Sequence, residues 1–156
     1  MGEDARDDLP WTGERYIPHE GGSLIAYEHV HRYLLASALA DGRNVLDLGS
    51  GEGYGTALLA SRASRALGVD IDPAAVAHAN AKYGSPTVSF EVADMAEASA
   101  VAPGFDLVVC FEAIEHVASP DDVIANAQRA LAPDGLFVVS TPNKKVYSDD
   151  RNFVNE

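Results

Sequence analysis

A handful of acids, a run of glycines and one histidine are the residues of this chain best placed to do chemistry. The run Val45-Leu46-Asp47-Leu48-Gly49-Ser50-Gly51-Glu52-Gly53-Tyr54-Gly55-Thr56 takes an apolar strand into a glycine-rich loop. Glycines there let a backbone approach a ligand with no Cβ in the way. The spacing is Gly-x-Gly-x-Gly. A dinucleotide fingerprint, Gly-x-Gly-x-x-Gly, would need glycine where Tyr54 stands, which argues against a nicotinamide-dependent oxidoreductase. Asp70 closes a second apolar segment in Gly68-Val69-Asp70-Ile71-Asp72. An acid roughly 20 residues beyond such a loop can accept hydrogen bonds from both ribose hydroxyls of a nucleoside. Asp94 follows a third segment in Val92-Ala93-Asp94-Met95. Finally, Phe111-Glu112-Ala113-Ile114-Glu115-His116-Val117 sets two carboxylates and an imidazole close together along the chain. An imidazole titrates near neutrality, so His116 is a candidate general base.

The elements that must position these residues alternate between two periods. Helical spacing of Leu24, Tyr27, Val30, Leu34, Leu35 and Ala38 predicts a helix over Ser23–Leu39, capped by Ser23. Strands are expected at Asn44–Leu48, Ala66–Val69, Thr87–Val92, Phe105–Phe111 and Leu136–Ser140. Helices are expected at Tyr54–Arg62, at Pro73–Tyr83 with Asp72 as N-cap, and at Ser119–Leu131 with its opening proline and acids. Pro133-Asp134-Gly135 reads as a turn. The unbroken apolar core of the fourth strand predicts burial on both faces. Such alternation implies a doubly wound α/β fold, Rossmann-like, with parallel strands in the order 3-2-1-4-5. Ligands bind such sheets beyond the carboxyl ends of the strands at the switch point, here between strands one and four.

The 156 residues suffice for one domain with a real core. Residues 1–22 read as an arm, 23–143 as the domain and 144–156 as a tail. The formal net charge of −13 repels phosphate backbones and anionic membranes, which argues against both as partners. Cys110 is the single cysteine, so no internal disulfide forms, and a cytoplasmic setting is expected. Cys110 itself reads as a small buried hydrophobe. The amino terminus has no signal-peptide pattern, and no apolar run reaches transmembrane length.

The glycine loop with its preceding Asp47 resembles the first motif of class I S-adenosylmethionine-dependent methyltransferases, and Asp70, Asp94 and the segment from Phe111 extend the likeness over roughly residues 11–143. The resemblance implies S-adenosylmethionine as cofactor. Gly49, Ser50, Gly51 and Gly53 would frame its nucleoside and amino-acid tail, with Asp47 beneath the methionine part. Asp70 would serve the ribose, Asp94 the adenine amino group and Met95 the ring, with Ile71 and Phe111 also among the cofactor-binding residues. Glu112-x-x-Glu115-His116-Val117 resembles a signature of ubiquinone-pathway O-methyltransferases and small-RNA 2′-O-methyltransferases. Several of these hold a divalent metal with the two acids and the histidine. RNA-modifying members add a downstream histidine, and residues 141–156 contain none. Glu112 and His116 are therefore the candidate catalytic residues, with metal ligation, general base and a polar cover over the cofactor all open.

Thr12-Gly13-Glu14-Arg15-Tyr16-Ile17-Pro18, with Tyr27, His29, His31 and Arg32, resembles methyltransferases of glycan and antibiotic-sugar pathways, as does Ser140-Thr141-Pro142-Asn143. There the arm folds over the cofactor, and Arg15 and Tyr16 would meet its carboxylate. Together these resemblances imply methylation of a small-molecule or glycan acceptor, on oxygen before nitrogen. An RNA 2′-O-methyltransferase and a non-catalytic cofactor-binding fragment are the rivals. Complete members add a hairpin of strands six and seven, which is expected to be lacking here. The fifth strand would then be an apolar edge, completed by a missing C-terminal segment or by a second copy of the chain.

Overall fold

The computed structural model describes residues 24–97 and 101–143, with side chains from residue 29 onward. The arm, Ser23, the side chain of Tyr27, and Lys144 and Lys145 lie outside the described residues. The elements run α1 (Leu24–Ser37), β1 (Asn44–Leu48), α2 (Tyr54–Ala60), β2 (Arg65–Asp70), α3 (Pro73–Tyr83), β3 (Val88–Val92), β4 (Phe105–Phe111), a 3-10 turn (Ile114–His116), α4 (Pro120–Ala130) and β5 (Leu131–Ser140). All pairings are parallel and the order is β3-β2-β1-β4-β5. This is the expected doubly wound sheet.

The central strands alternate as a two-faced sheet demands. Val45, Leu107, Val109 and Phe111 point to one face and pack with Tyr33, Ala36 and Leu59 of α1 and α2. Leu46, Leu48, Val108 and Cys110 point to the other and pack with Val123 and Ala127 of α4. Cys110 is fully buried, and that burial pushes its thiol up to about 12. Asp72 caps α3 as expected, its Oδ1 accepting from the Ala74 amide at 2.9 Å. Among the described residues no helix is long and apolar enough to cross a membrane.

Two local expectations are corrected. Helix α1 buries Tyr33 and Ala36 rather than the Leu34–Leu35 stripe, and those leucines are exposed. Apolar residues are spread round the helix and broken by Glu28, His29, His31 and Arg32, so periodicity could not choose a face. The choice falls to the Tyr33 hydroxyl, which has a buried partner in Asp47. Strand β5 begins at Leu131, not Leu136. Leu131 pairs with Phe105 and Leu136 with Leu107, so the Pro133-Asp134-Gly135 turn is looped out between two paired registers, with Asp134 at φ 63.

Candidate functional site

The carboxyl ends of β1, β2 and β4 and the segment after β3 open into one cleft of about 590 Å3. That is an ordinary size for a cofactor pocket. The glycine loop forms its floor. The Gly49 and Ser50 amides both bond to the Val69 carbonyl at 2.9 Å, which folds the loop back over β2. Asp70 locks the turn: its Oδ2 accepts from the Gly51 amide at 2.8 Å and its Oδ1 from the Asp72 amide at 3.0 Å. A carboxylate has about four acceptor sites, so two remain for a ligand in the cleft.

The glycines do different jobs. Gly51, at φ 54, has open space where a Cβ would stand, and it lines the cleft. Gly53, at φ 93, is packed instead: a Cβ there would lie 2.7 Å from Ala79 and 2.8 Å from the Phe90 ring. Gly53 is not among the residues lining the cleft and packs in the helix–sheet seam.

Asp47 lies beneath the loop, as expected. It is fully buried beneath the floor and lines no part of the cleft. Thr56 Oγ1 donates to its Oδ2 at 2.7 Å, and the Tyr33 hydroxyl donates to both oxygens at 3.2 Å. Burial raises the carboxyl from 3.8 to about 7, against the lowering effect of those two hydrogen bonds. Burial first, and the Asp47 charge next, push the Tyr33 phenol well above its ordinary value, so it remains a donor. The Tyr33 ring is fixed edge-on to Tyr54 and Phe111, with centroids 5.5 and 5.0 Å apart.

The other expected cofactor residues, Gly49, Ser50, Ile71, Asp94, Met95 and Phe111, all border the cleft. Asp94 shapes its own loop, its Oδ1 accepting from the Ala96 amide at 2.8 Å. Asn126 of α4 donates to the Met95 carbonyl at 2.9 Å and steadies that wall from behind. Glu52, Tyr33 and His29 also border the cleft and were not singled out for it by the motif. Glu52 is buried, with its Oε2 3.4 Å from His78 Nε2 and 3.5 Å from Lys82 Nζ. Glycine-loop spacing alone gave no signal for that pairing, which depends on α3 crossing behind the loop.

Glu112 and His116 border the cleft on the β4 side. His116 is about half exposed. Glu112 stands at φ 51, a left-handed conformation costing about 1–3 kcal/mol for a side chain of this kind. Its surroundings hold it there. Its amide bonds to the Ser140 carbonyl at 3.1 Å, Ser140 Oγ donates to its Oε1 at 2.8 Å, and Arg32 Nη2 lies 3.3 Å from the same oxygen. His116 Nε2 is 4.0 Å from Glu115 Oε1. Among the described residues no three His, Cys, Asp or Glu side chains converge as a metal site. Glu112, Glu115 and His116 are not gathered as such a group in this arrangement.

Comparison with known proteins matches residues 23–155 to the methyltransferase domain family. A relative named "probable S-adenosylmethionine-dependent methyltransferase" from Mycolicibacterium smegmatis is 40% identical over 147 residues, covering 92% of this chain and 56% of the relative. The ubiquinone biosynthesis O-methyltransferase of Thiobacillus denitrificans is 32% identical, covering 75% of this chain and 52% of its own. Among solved structures, the N-methyltransferase NodS of Bradyrhizobium japonicum, in complex with S-adenosyl-L-homocysteine, superposes with a TM-score of 0.67 at 25% identity, covering 75% of this chain and 62% of that one. The chain spans about half the length of the curated relatives it matches. With a sheet of this order, a glycine loop held by Asp70 and a family match over most of its length, the chain belongs to the S-adenosylmethionine-dependent methyltransferases.

Proposed function

We propose that this chain binds S-adenosylmethionine in the cleft and serves methyl transfer to an oxygen of a small-molecule or glycan acceptor. The observation that carries the cofactor reading is Asp70, whose carboxylate is fixed by the Gly51 and Asp72 amides beside an open, Cβ-free wall. Asp70 accepts from the ribose hydroxyls with its remaining lone pairs. Asp94 meets the adenine amino group and Met95 packs on the ring. Gly51 leaves room for the cofactor backbone. The cofactor supplies an electrophilic methyl on a sulfonium. For the rest, orientation and proximity carry the rate. His116, half exposed at the cleft mouth, takes the proton of an acceptor hydroxyl. Oxygen is favoured as the acceptor atom by the likeness to a ubiquinone biosynthesis O-methyltransferase.

Residues 23–143 form the cofactor domain in this proposal, and the outer edge of β5, which pairs with no further strand among the described residues, takes one from a C-terminal segment or a second copy. The buried thiol of Cys110 suits a reducing compartment. Calorimetric titration with S-adenosylmethionine, S-adenosylhomocysteine and NAD tests the reading. The first two are expected to bind and NAD is not. Binding of NAD alone, or of none of the three to a folded chain, would sink it.

A further inference from the structure

On the β4 side of the cleft, an ion pair joins three elements distant in sequence. Arg32 comes from α1, Glu112 from the end of β4 and Ser140 from the end of β5. Glu112 is the strained residue of the site, and its side chain is only 13% exposed. Arg32 Nη1 is buried with no hydrogen-bond partner. Among the described residues Glu112 is the one carboxylate paired with Arg32. Each charge thus depends on the other. Both contacts fall on Oε1 of Glu112, and among the described residues no three His, Cys, Asp or Glu side chains gather there as a metal site.

Resting on the cofactor reading above, we propose that Arg32 is the built-in cation of this site. It neutralises Glu112 so that a bound sulfonium meets no uncompensated carboxylate from the β4 wall, and no divalent metal is needed there. The physical reason lies in the charge change of the reaction. The sulfonium carries a full positive charge before transfer and loses it in the product. A bare carboxylate in the cleft would favour the charged reactant over the transition state, where that charge is dispersing. Such binding raises affinity at the expense of rate. Pairing Glu112 with Arg32 removes that bias while keeping its carboxylate available to hold Ser140. Arg32 is accordingly a positioning and charge-compensating residue rather than one that touches the reacting atoms.

S-adenosylmethionine and S-adenosylhomocysteine differ by that one charge, so the ratio of their affinities reads the field directly. Dissociation constants for both would be measured by calorimetry in EDTA for the wild type, Arg32→Met, Glu112→Gln and the double variant. Arg32→Met is expected to shift the ratio toward S-adenosylmethionine by about fivefold. Glu112→Gln should shift it the opposite way, because Arg32 is then unpaired, and the double variant should return close to the wild type. A purely structural role would weaken both ligands alike and leave the ratio still. Should Arg32→Met fail to fold, the sign of the Glu112→Gln shift alone decides. The inference is overturned by a wild type that binds both ligands while neither single variant moves the ratio. It is equally overturned by Mn2+ binding to the wild type, seen by electron paramagnetic resonance, that disappears in Glu112→Gln. A wild type that binds neither ligand overturns the cofactor reading and this inference together.

Discussion

Asp47 should make the protein less stable as pH rises from acid to neutral. Its carboxyl ionises near 3.8 in an unfolded chain but at about 7 in the fold, because burial penalises the charged form more than Thr56 and Tyr33 favour it. Below 3.8 both states hold the proton, and above about 7 neither does. Between the two, the folded state holds a proton that the unfolded state has lost. Stability therefore falls with pH across that window, by about 1.4 kcal/mol per unit at most, or about 4 kcal/mol in all. Other groups titrate in the same range, so the wild-type curve alone is ambiguous. The variant Asp47→Asn removes this titration and leaves the others. Asparagine keeps an oxygen for Thr56, and its amide can donate to the Tyr33 hydroxyl oxygen. Urea unfolding of both proteins at half-unit steps from pH 4.5 to 8 gives a difference curve in which common groups cancel. The variant is expected to gain on the wild type steadily until about pH 7 and then level off. A flat difference curve would show that the buried carboxyl stays ionised, stabilised by more than the two hydroxyls.

Asp70→Ala is expected to weaken S-adenosylhomocysteine binding by on the order of a hundredfold, since charged hydrogen bonds contribute about 1.5–3 kcal/mol and the Gly51 turn also loses its anchor. An unchanged dissociation constant in calorimetry would remove Asp70 from the site. His116→Ala should leave cofactor affinity within about twofold while lowering methyl transfer by on the order of 10²-fold at neutral pH. Equal turnover on any responsive acceptor would make His116 structural. Gly53→Ala should cost about 2–3 kcal/mol in chemical unfolding, because the methyl meets Ala79 and Phe90 and φ is 93. A loss below about 0.5 kcal/mol would show that the seam accommodates a methyl and refute the packing argument.

Much of the frame was legible because its signals are local. Asn44–Leu48, Pro73–Tyr83 and Phe105–Phe111 have the bounds expected from apolar runs and cap residues. The switch-point cleft follows from strand order alone, and strand order follows from the alternation of elements. The misreadings share a cause. The face of α1 is chosen by Asp47, which is 14 residues from Tyr33 along the chain. The start of β5 is chosen by Phe105, which pairs with Leu131 across a turn that would ordinarily end a strand. In both cases a contact from elsewhere in the fold decided what the local pattern could not.

The same distinction separates the two walls of the cleft. On the cofactor side the partners are close in sequence or fixed by the loop itself, as when Asp70 reaches Gly51 or Asp94 closes on Ala96. A motif can carry that geometry because a few neighbouring residues determine it. On the opposite wall Glu112 is defined by Arg32 and Ser140, from helix and strand at either end of the described chain. No spacing within Glu112-Ala113-Ile114-Glu115-His116 reveals whether its first acid is free for a metal or already held by a guanidinium. The resemblance of this segment to the Glu-x-x-Glu-His signature is therefore silent on the question that decides its chemistry. That decision rests on which cation the tertiary fold brings to Glu112, and here the cation is a side chain.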